Sequence, residues 1–251
     1  MEKVSIVTVS LNAAAYVETT IKSVRAQTYP HIEHVMIDGG STDGTLDIIN
    51  KYRDGIGYFV SEPDSGLYNA MNKGIKAATG DILFFLNADD RFCDGRVVEE
   101  VASVFNHKPD LDIVYGNVIW NISGKMIQTK QPPTITREFL ASRTVFHQTV
   151  FVRKGVFETT GGFSEHYKVV SDYEWMLKVF LRDRRNYFYY DRDIAVVGTE
   201  GRSNVTNWEK ERIDVMKKHF VFHEILRYRI LPKKKKSVRR AMNRLYVAWM
   251  R

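Results

Sequence analysis

The sequence predicts an α/β protein built on a mostly parallel central sheet with helices on both faces. Three observations carry that prediction. Short apolar stretches alternate with helical patterns through the first 120 residues. The apolar stretches are too uniformly hydrophobic for a sheet with one wet face. Each is followed by a helical pattern, and most lead into it through a turn rich in Asp, Asn, Gly or Ser.

Taken in order, the first strand is Val4–Val9, followed by the turn Ser10-Leu11-Asn12 and a helix over about Ala14–Gln27. In that helix, as in the later ones, apolar residues recur three and four positions apart. The second strand, His34–Ile37, runs into Asp38-Gly39-Gly40-Ser41-Thr42-Asp43 and a helix at Thr45–Tyr52. The third, Gly57–Ser61, leads through Glu62-Pro63-Asp64-Ser65-Gly66 to a helix at Leu67–Ala78. The fourth, Ile82–Leu86, ends in Asn87-Ala88-Asp89-Asp90 before a helix at Arg96–Asn106, and Ile113–Val118 supplies a fifth strand. Ligands of such sheets sit beyond the carboxyl ends of the strands, so these four polar turns are the place to look for chemistry.

After about residue 120 the rhythm breaks. Pro132-Pro133 marks a loop, Val150-Phe151-Val152 a short strand, Gly161-Gly162 a turn, and Ser171-Asp172 opens a helix running through Lys178. This half is expected to cap the same sheet rather than fold as an independent domain.

With 251 residues, 44% hydrophobic and 27% charged, the chain has the balance of a globular protein with a real core. Its single cysteine, Cys93, excludes a disulfide framework and fits a reducing compartment, and reads as a packing residue. Met1-Glu2-Lys3 leads straight into the first strand, without a signal-peptide pattern. No apolar run approaches the roughly 18 residues needed to span a bilayer, so the expectation is a cytoplasmic protein. The net charge of +7 is local. Eight Lys/Arg and no acid fall in residues 231–251, and removing them leaves the other 230 residues at −1. A near-neutral body argues against a nucleic-acid partner.

Two common ways for a βα sheet to hold nucleotide phosphates are absent. The fingerprint G-x-G-x-x-G does not occur, and Gly39-Gly40-Ser41-Thr42-Asp43-Gly44-Thr45 lacks the lysine of a phosphate loop, with Asp38 and Asp43 positioned to repel phosphate. A third way fits an acidic sheet edge: Mg²⁺ or Mn²⁺, held by one or two carboxylates, carries the diphosphate and stabilises it as a leaving group. Spacing alone leaves a second reading open, in which Asn87 and Asp90 only cap the turn and the next helix.

Four segments, in order, resemble the serial motifs of family 2 glycosyltransferases. They are Ser5 to Asn12, Ile37 to Thr45, Ser61 to Gly74 and Phe85 to Asp90, and the resemblance covers roughly residues 3–200. It implies the Rossmann-like GT-A fold and inverting transfer of a sugar from a nucleotide-sugar donor, UDP-linked for preference, to a glycan or lipid-linked acceptor of the cell surface. Residues 1–120 would then be the donor half, 121–207 the acceptor and catalytic half, and 208–251 a helical basic tail.

The resemblance places the donor nucleoside against Ser10, Asn12 and Asp38, with Asp38 accepting from a uracil N–H. Asp64, Asn72, Lys73, Asn87 and Asp90 would line the rest of the donor pocket. Asp89 matches the metal-binding acid of the family's D-x-D motif, and Asn87 stands where its first acid is usual, which puts a two-carboxylate clamp in doubt. Gly39 likewise stands where many relatives have a second aspartate. Asp172 matches the catalytic base, which must be an ionised carboxylate near neutral pH, with Glu174 in reserve; the residue type alone also fits a first-turn acid favoured by the helix dipole. His147 and Gln148 are expected to contact acceptor or phosphate, as are Trp175 and, from a mobile loop at Gly198–Asn204, Arg202. Tyr167, Tyr173 and Trp175 read equally as sugar-stacking rings or as core.

In the tail, Arg240, Arg244 and Arg251 fall on one helical face, and Val238, Ala241, Met242, Leu245 and Trp249 on the other, at about 100° per residue. Residues 233–251 therefore read as a peripheral anchor on an anionic inner membrane face, or as a helix packed on its own domain. Two rival functions remain: a sugar nucleotidyltransferase, whose glycine-rich arginine loop is missing here, and a non-catalytic nucleotide-sugar binder, for which Asn87 speaks.

Overall fold

The computed structural model of the chain describes residues 1–198 and 208–225. Strand β1 (Val4–Ser10) is buried along its whole length because it has a parallel neighbour on each side, β2 (Ile32–Asp38) and β4 (Ile82–Phe85). β3 (Tyr58–Ser61) continues the parallel set beyond β2. The register sets Ser10 beside Asp38 and Asp38 beside Ser61, so the ends of three strands meet at one edge.

Beyond β4 the sheet changes character. β8 (Val150–Arg153) is inserted antiparallel between β4 and β6 (Ile113–Ile122). β9 (Tyr187–Gly198) runs parallel to β6, and the two-residue β5 (Arg91–Phe92) is antiparallel to β9. β7 (Lys125–Thr129) folds back on β6, giving the order β3-β2-β1-β4-β8-β6-β9-β5 with β7 off the path. The expected α/β architecture holds, with its parallel character concentrated in β1 to β4. The second half supplies strands to the same sheet.

Side chains of the central strands alternate between the two faces. Val7, Val9, Val35 and Ile37 pack beneath α3 (Leu67–Ala77), α6 (Lys154–Thr160) and α7 (Ser171–Leu177). Ile6 and Phe84 face α4 (Val97–His107), and Met36 faces α1 (Val17–Arg25) and α2 (Thr45–Lys51). At Gly74 the approach of α3 to β1 is so close that a Cβ would collide with Val7, which accounts for glycine inside a helix. α5 (Arg137–Ser142), α8 (Trp208–His219) and the short α9 (Phe222–Ile225) complete the first face, with Val215 and Met216 of α8 fully buried in its core. α8, assigned by sequence to the tail, is thus part of the globular core.

The loop carrying Arg202 and the basic segment 233–251 lie outside the described residues. Among the described residues no helix is long and apolar enough to cross a membrane. Cys93 is half-buried, and burial pushes its thiol up to about 12, as befits a packing residue.

Candidate active site

The strand-end turns meet on one edge, and their carboxylates have different fates. Asp38 is fully buried. Its Oδ1 accepts from the hydroxyls of Ser10 at 2.9 Å and Ser41 at 2.5 Å, and its Oδ2 from Gly40 N–H at 3.0 Å, Ser41 N–H at 2.8 Å and Ser61 at 2.8 Å. Burial alone would raise its pKa, but these donors together lower it. With five donors and no exposed surface, Asp38 cannot read a base, and the expected base contact is corrected: Asp38 and Ser10 organise the turn from beneath. Ser41 and Ser61 do this work too, and nothing in the spacing of the sequence singled them out.

Asp64 is half-buried, less enclosed than Asp38. Its Oδ1 accepts from Gly66 N–H at 2.9 Å. Its Oδ2 lies over Gly39, where a Cβ would collide with it. The space that a second aspartate at position 39 would need is therefore filled by the carboxylate of Asp64. Asn12 adopts φ 51°, a left-handed turn that asparagine tolerates better than most residues. Its Oδ1 accepts from Thr42 N–H at 2.9 Å and its own N–H donates to Ser41 Oγ at 2.8 Å, stapling the first two turns together.

Other expected donor contacts are committed elsewhere. Asn72 accepts from Phe163 N–H at 2.9 Å and donates to Phe163 O at 2.8 Å and to Glu165 at 3.1 Å, so it ties α3 to the loop before α7. Lys73 pairs with Glu62 at 2.7 Å and donates to Pro63 O at 3.3 Å, bracing the Asp64 turn from its side.

The Asn87-Ala88-Asp89-Asp90 turn leaves the sheet over α1, where the Thr20 hydroxyl donates to Ala88 O at 2.8 Å and to Asp90 O at 2.6 Å. Asp89 and Asp90 line a cavity of about 190 Å³ together with Thr19, Arg91, Asn121 and Gly198. Asp90 is 2% exposed, and its Oδ1 accepts from Gly198 N–H at 3.3 Å. Burial and the neighbouring charge of Asp89 push its pKa well above the usual carboxylate range. Asp90 thereby ties the turn to the end of β9. Asn87 Oδ1 and Asp90 Oδ2 are buried without a partner. Those oxygens beside the Asp89 carboxylate are the hard donors that Mg²⁺ or Mn²⁺ accepts. Among the described residues no cluster of three or more His, Cys, Asp or Glu could hold an ion unaided. The residues fit a divalent ion that takes its remaining ligands from diphosphate and water.

Asp172 begins α7 facing the same edge. Tyr68 of α3 donates to its Oδ1 at 3.1 Å and to Val169 O at 2.6 Å, and His147 Nδ1 lies 3.2 Å from its Oδ2. Burial would raise the Asp172 pKa, but the hydrogen bonds from His147, the Tyr173 N–H and the Tyr68 hydroxyl together hold it below the ordinary value of 3.8. The carboxylate is ionised at neutral pH. Tyr68 is a site residue that the sequence did not announce, since its position in α3 is simply that of a buried face.

Trp175 and Glu174 turn away from this edge. Trp175 is 2% exposed, stacks on Phe157 with ring centroids 4.7 Å apart, and donates its indole N–H to Thr160 and Gly161. Glu174 is buried and pairs with Lys178 at 3.3 Å. Both side chains are taken up within the protein, Trp175 by Phe157, Thr160 and Gly161, and Glu174 by Lys178. Tyr167 and Tyr173 are core residues as well. Gln148 follows His147 in the turn before β8 and is half-buried.

The sequence model described as Glycosyl transferase family 2 matches residues 5–164. An uncharacterized glycosyltransferase of Mycobacterium tuberculosis is 36% identical over 181 residues, covering 71% of this chain and 69% of that one. A PGL/p-HBAD biosynthesis glycosyltransferase of Mycobacterium bovis is 35% identical over 179 residues, covering 70% and 69%. Among solved structures, S. aureus TarS 1-349 in complex with UDP-GlcNAc matches with a TM-score of 0.71 at 20% identity, over 91% of this chain and 68% of that one. The chain spans 40% of the longer TarS chain.

Proposed function

The chain belongs to glycosyltransferase family 2 and has its GT-A fold, and from that premise we propose that it is a metal-assisted, inverting sugar transferase with Asp172 as general base. The observation that carries this reading is the Asp172 carboxylate held between Tyr68 and His147, with His147 in turn against Asn87 of the Asp89 turn. The acceptor hydroxyl gives its proton to Asp172 as its oxygen bonds to the anomeric carbon. The bond from that carbon to the donor diphosphate breaks on the opposite face, and its electron pair leaves with the diphosphate.

Asp89, with oxygens of its own turn, would hold Mg²⁺ or Mn²⁺, which supplies Lewis-acid stabilisation of the leaving diphosphate. Asp64 reads the nucleobase in place of Asp38. A UDP-linked donor suits this pocket, since a free carboxylate oxygen accepts from the uracil N–H and a structural relative is seen with UDP-GlcNAc. The acceptor is a glycan or lipid-linked glycan of the cell surface, and the basic segment 233–251 keeps the enzyme peripheral on the inner membrane face.

Thermal-shift measurements with a panel of nucleotide sugars, with and without Mn²⁺, test the donor and metal parts together. Stabilisation by one nucleotide sugar, dependent on Mn²⁺ and lost in Asp89→Ala, is expected. An Asp89→Ala variant with the full Mn²⁺-dependent shift would place the metal elsewhere.

A further inference from the structure

His147 sits in a hydrogen-bonded chain that the reaction above uses only at one end. The ring is 12% exposed and the Asp172 side chain 19%. Its Nδ1 lies 3.2 Å from Asp172 Oδ2, and its Nε2 lies 3.4 Å from the amide nitrogen of Asn87. Both ring nitrogens thus face protein groups, leaving none for an acceptor or a phosphate.

The partners dictate the tautomer. An ionised carboxylate only accepts, and an amide NH₂ only donates. One neutral form of imidazole satisfies both: Nδ1–H donating to Asp172, with a bare Nε2 accepting from Asn87. The opposite tautomer would set a bare Nδ1 against the carboxylate and Nε2–H against the amide N–H. We propose that His147 is a positioning residue for Asp172, fixed as the Nδ1–H tautomer by the amide of Asn87; this rests on Asp172 being the base.

The geometry gives that arrangement a purpose. Tyr68 holds one oxygen of Asp172 and His147 holds the other, so the carboxylate is clamped from α3 on one side and from the turn before β8 on the other. A clamped carboxylate meets the acceptor hydroxyl in a fixed orientation, and misplacement by about 1 Å is worth on the order of 100-fold in rate. Asn87 also connects the clamp to the Asp89 turn, so the base and the proposed metal turn are set relative to each other through one ring. An aspartate at position 87 would need a proton on Nε2, forcing either a bare Nδ1 beside Asp172 or a charged ring. The amide at 87, unexpected from the family motif, is the group that matches this histidine.

The tautomer can be read on the ligand-free full chain by long-range ¹H–¹⁵N correlation of the imidazole nitrogens at pH 8, with the His147 signals identified by their loss in His147→Asn and in His147→Gln. A protonated Nδ1 and bare Nε2 are expected; a protonated Nε2 would overturn the proposal. The kinetic arm uses nucleotide release, with Mn²⁺, from whichever nucleotide sugar of the thermal-shift panel binds. His147→Ala is expected to lower kcat by about 10- to 100-fold with donor KM unchanged. His147→Asn, whose amide nitrogen takes the place of Nδ1, should recover much of that loss. The double variant His147→Ala/Asp172→Asn should be no slower than Asp172→Asn alone, because the histidine acts through the aspartate. Wild-type kcat in His147→Ala beside an inactive Asp172→Asn would remove the positioning role and leave the base. Wild-type kcat in Asp172→Asn would instead remove the base.

Discussion

Asp38 and Asp64 show how two carboxylates in neighbouring turns divide their work. Three serine hydroxyls and two backbone N–H groups surround Asp38, and it stays ionised while buried because those donors replace its water. Asp64 keeps one oxygen over Gly39, in the space that a larger residue would occupy. Asp64→Ala is therefore expected to weaken UDP binding by about 10- to 100-fold, the worth of a charge-assisted hydrogen bond, measured by calorimetric titration in Mn²⁺. Adding Gly39→Asp to that variant should restore part of the affinity, since the collision is gone; unchanged binding in Asp64→Ala would exclude it from base recognition. Both aspartates are conspicuous in the sequence, but which one is fully enclosed is not. That depends on the register that brings Ser10 and Ser61 alongside Asp38. The same limit applies to His147 and Trp175: the residue type suggested a ligand contact, while the partners that occupy their nitrogens come from distant parts of the chain.

At the scale of elements, β1 to β4 were legible because each carries a short apolar stretch that ends in a polar turn. β9 was not, since its polar and aromatic residues are half-buried along most of its length, and β5 is only two residues long. The far end of the parallel sheet carries its own polar cluster. Glu33 of β2 accepts from Ser5 Oγ at 2.5 Å, Thr79 N–H at 2.8 Å, Thr79 Oγ1 at 2.6 Å and Lys3 at 2.9 Å, joining β1, β2 and the turn before β4. Burial acts to raise its pKa, but these donors bring it down from 4.5 to about 2. A depressed carboxylate stabilises the fold above its unfolded pKa and loses that contribution as pH falls. Glu33→Gln should accordingly melt below wild type at pH 7, with the gap closing between pH 4.5 and about 2. A gap independent of pH would mean that the ionised form contributes nothing.

For the whole molecule, one continuous sheet explains why two unlike halves of the sequence build one site. The parallel strands deliver Asp64 and Asp89 at their carboxyl ends, while β8, paired to β4, holds the turn bearing His147 against α7 and Asp172. The motifs of the first half could be read because their chemistry lies in contiguous turns. The second half has no such run, and its contribution is assembled by β8 entering the sheet between β4 and β6. The central claim is that this assembly makes Asp172 a base and not a donor contact. Its most direct test is turnover of the nucleotide sugar selected by thermal shift, set beside the affinity for that same donor, in wild type and Asp172→Asn. A fall in kcat of about 100-fold or more is expected, the usual scale for a lost general base, with donor affinity unchanged. Turnover near wild type with intact donor binding would contradict it.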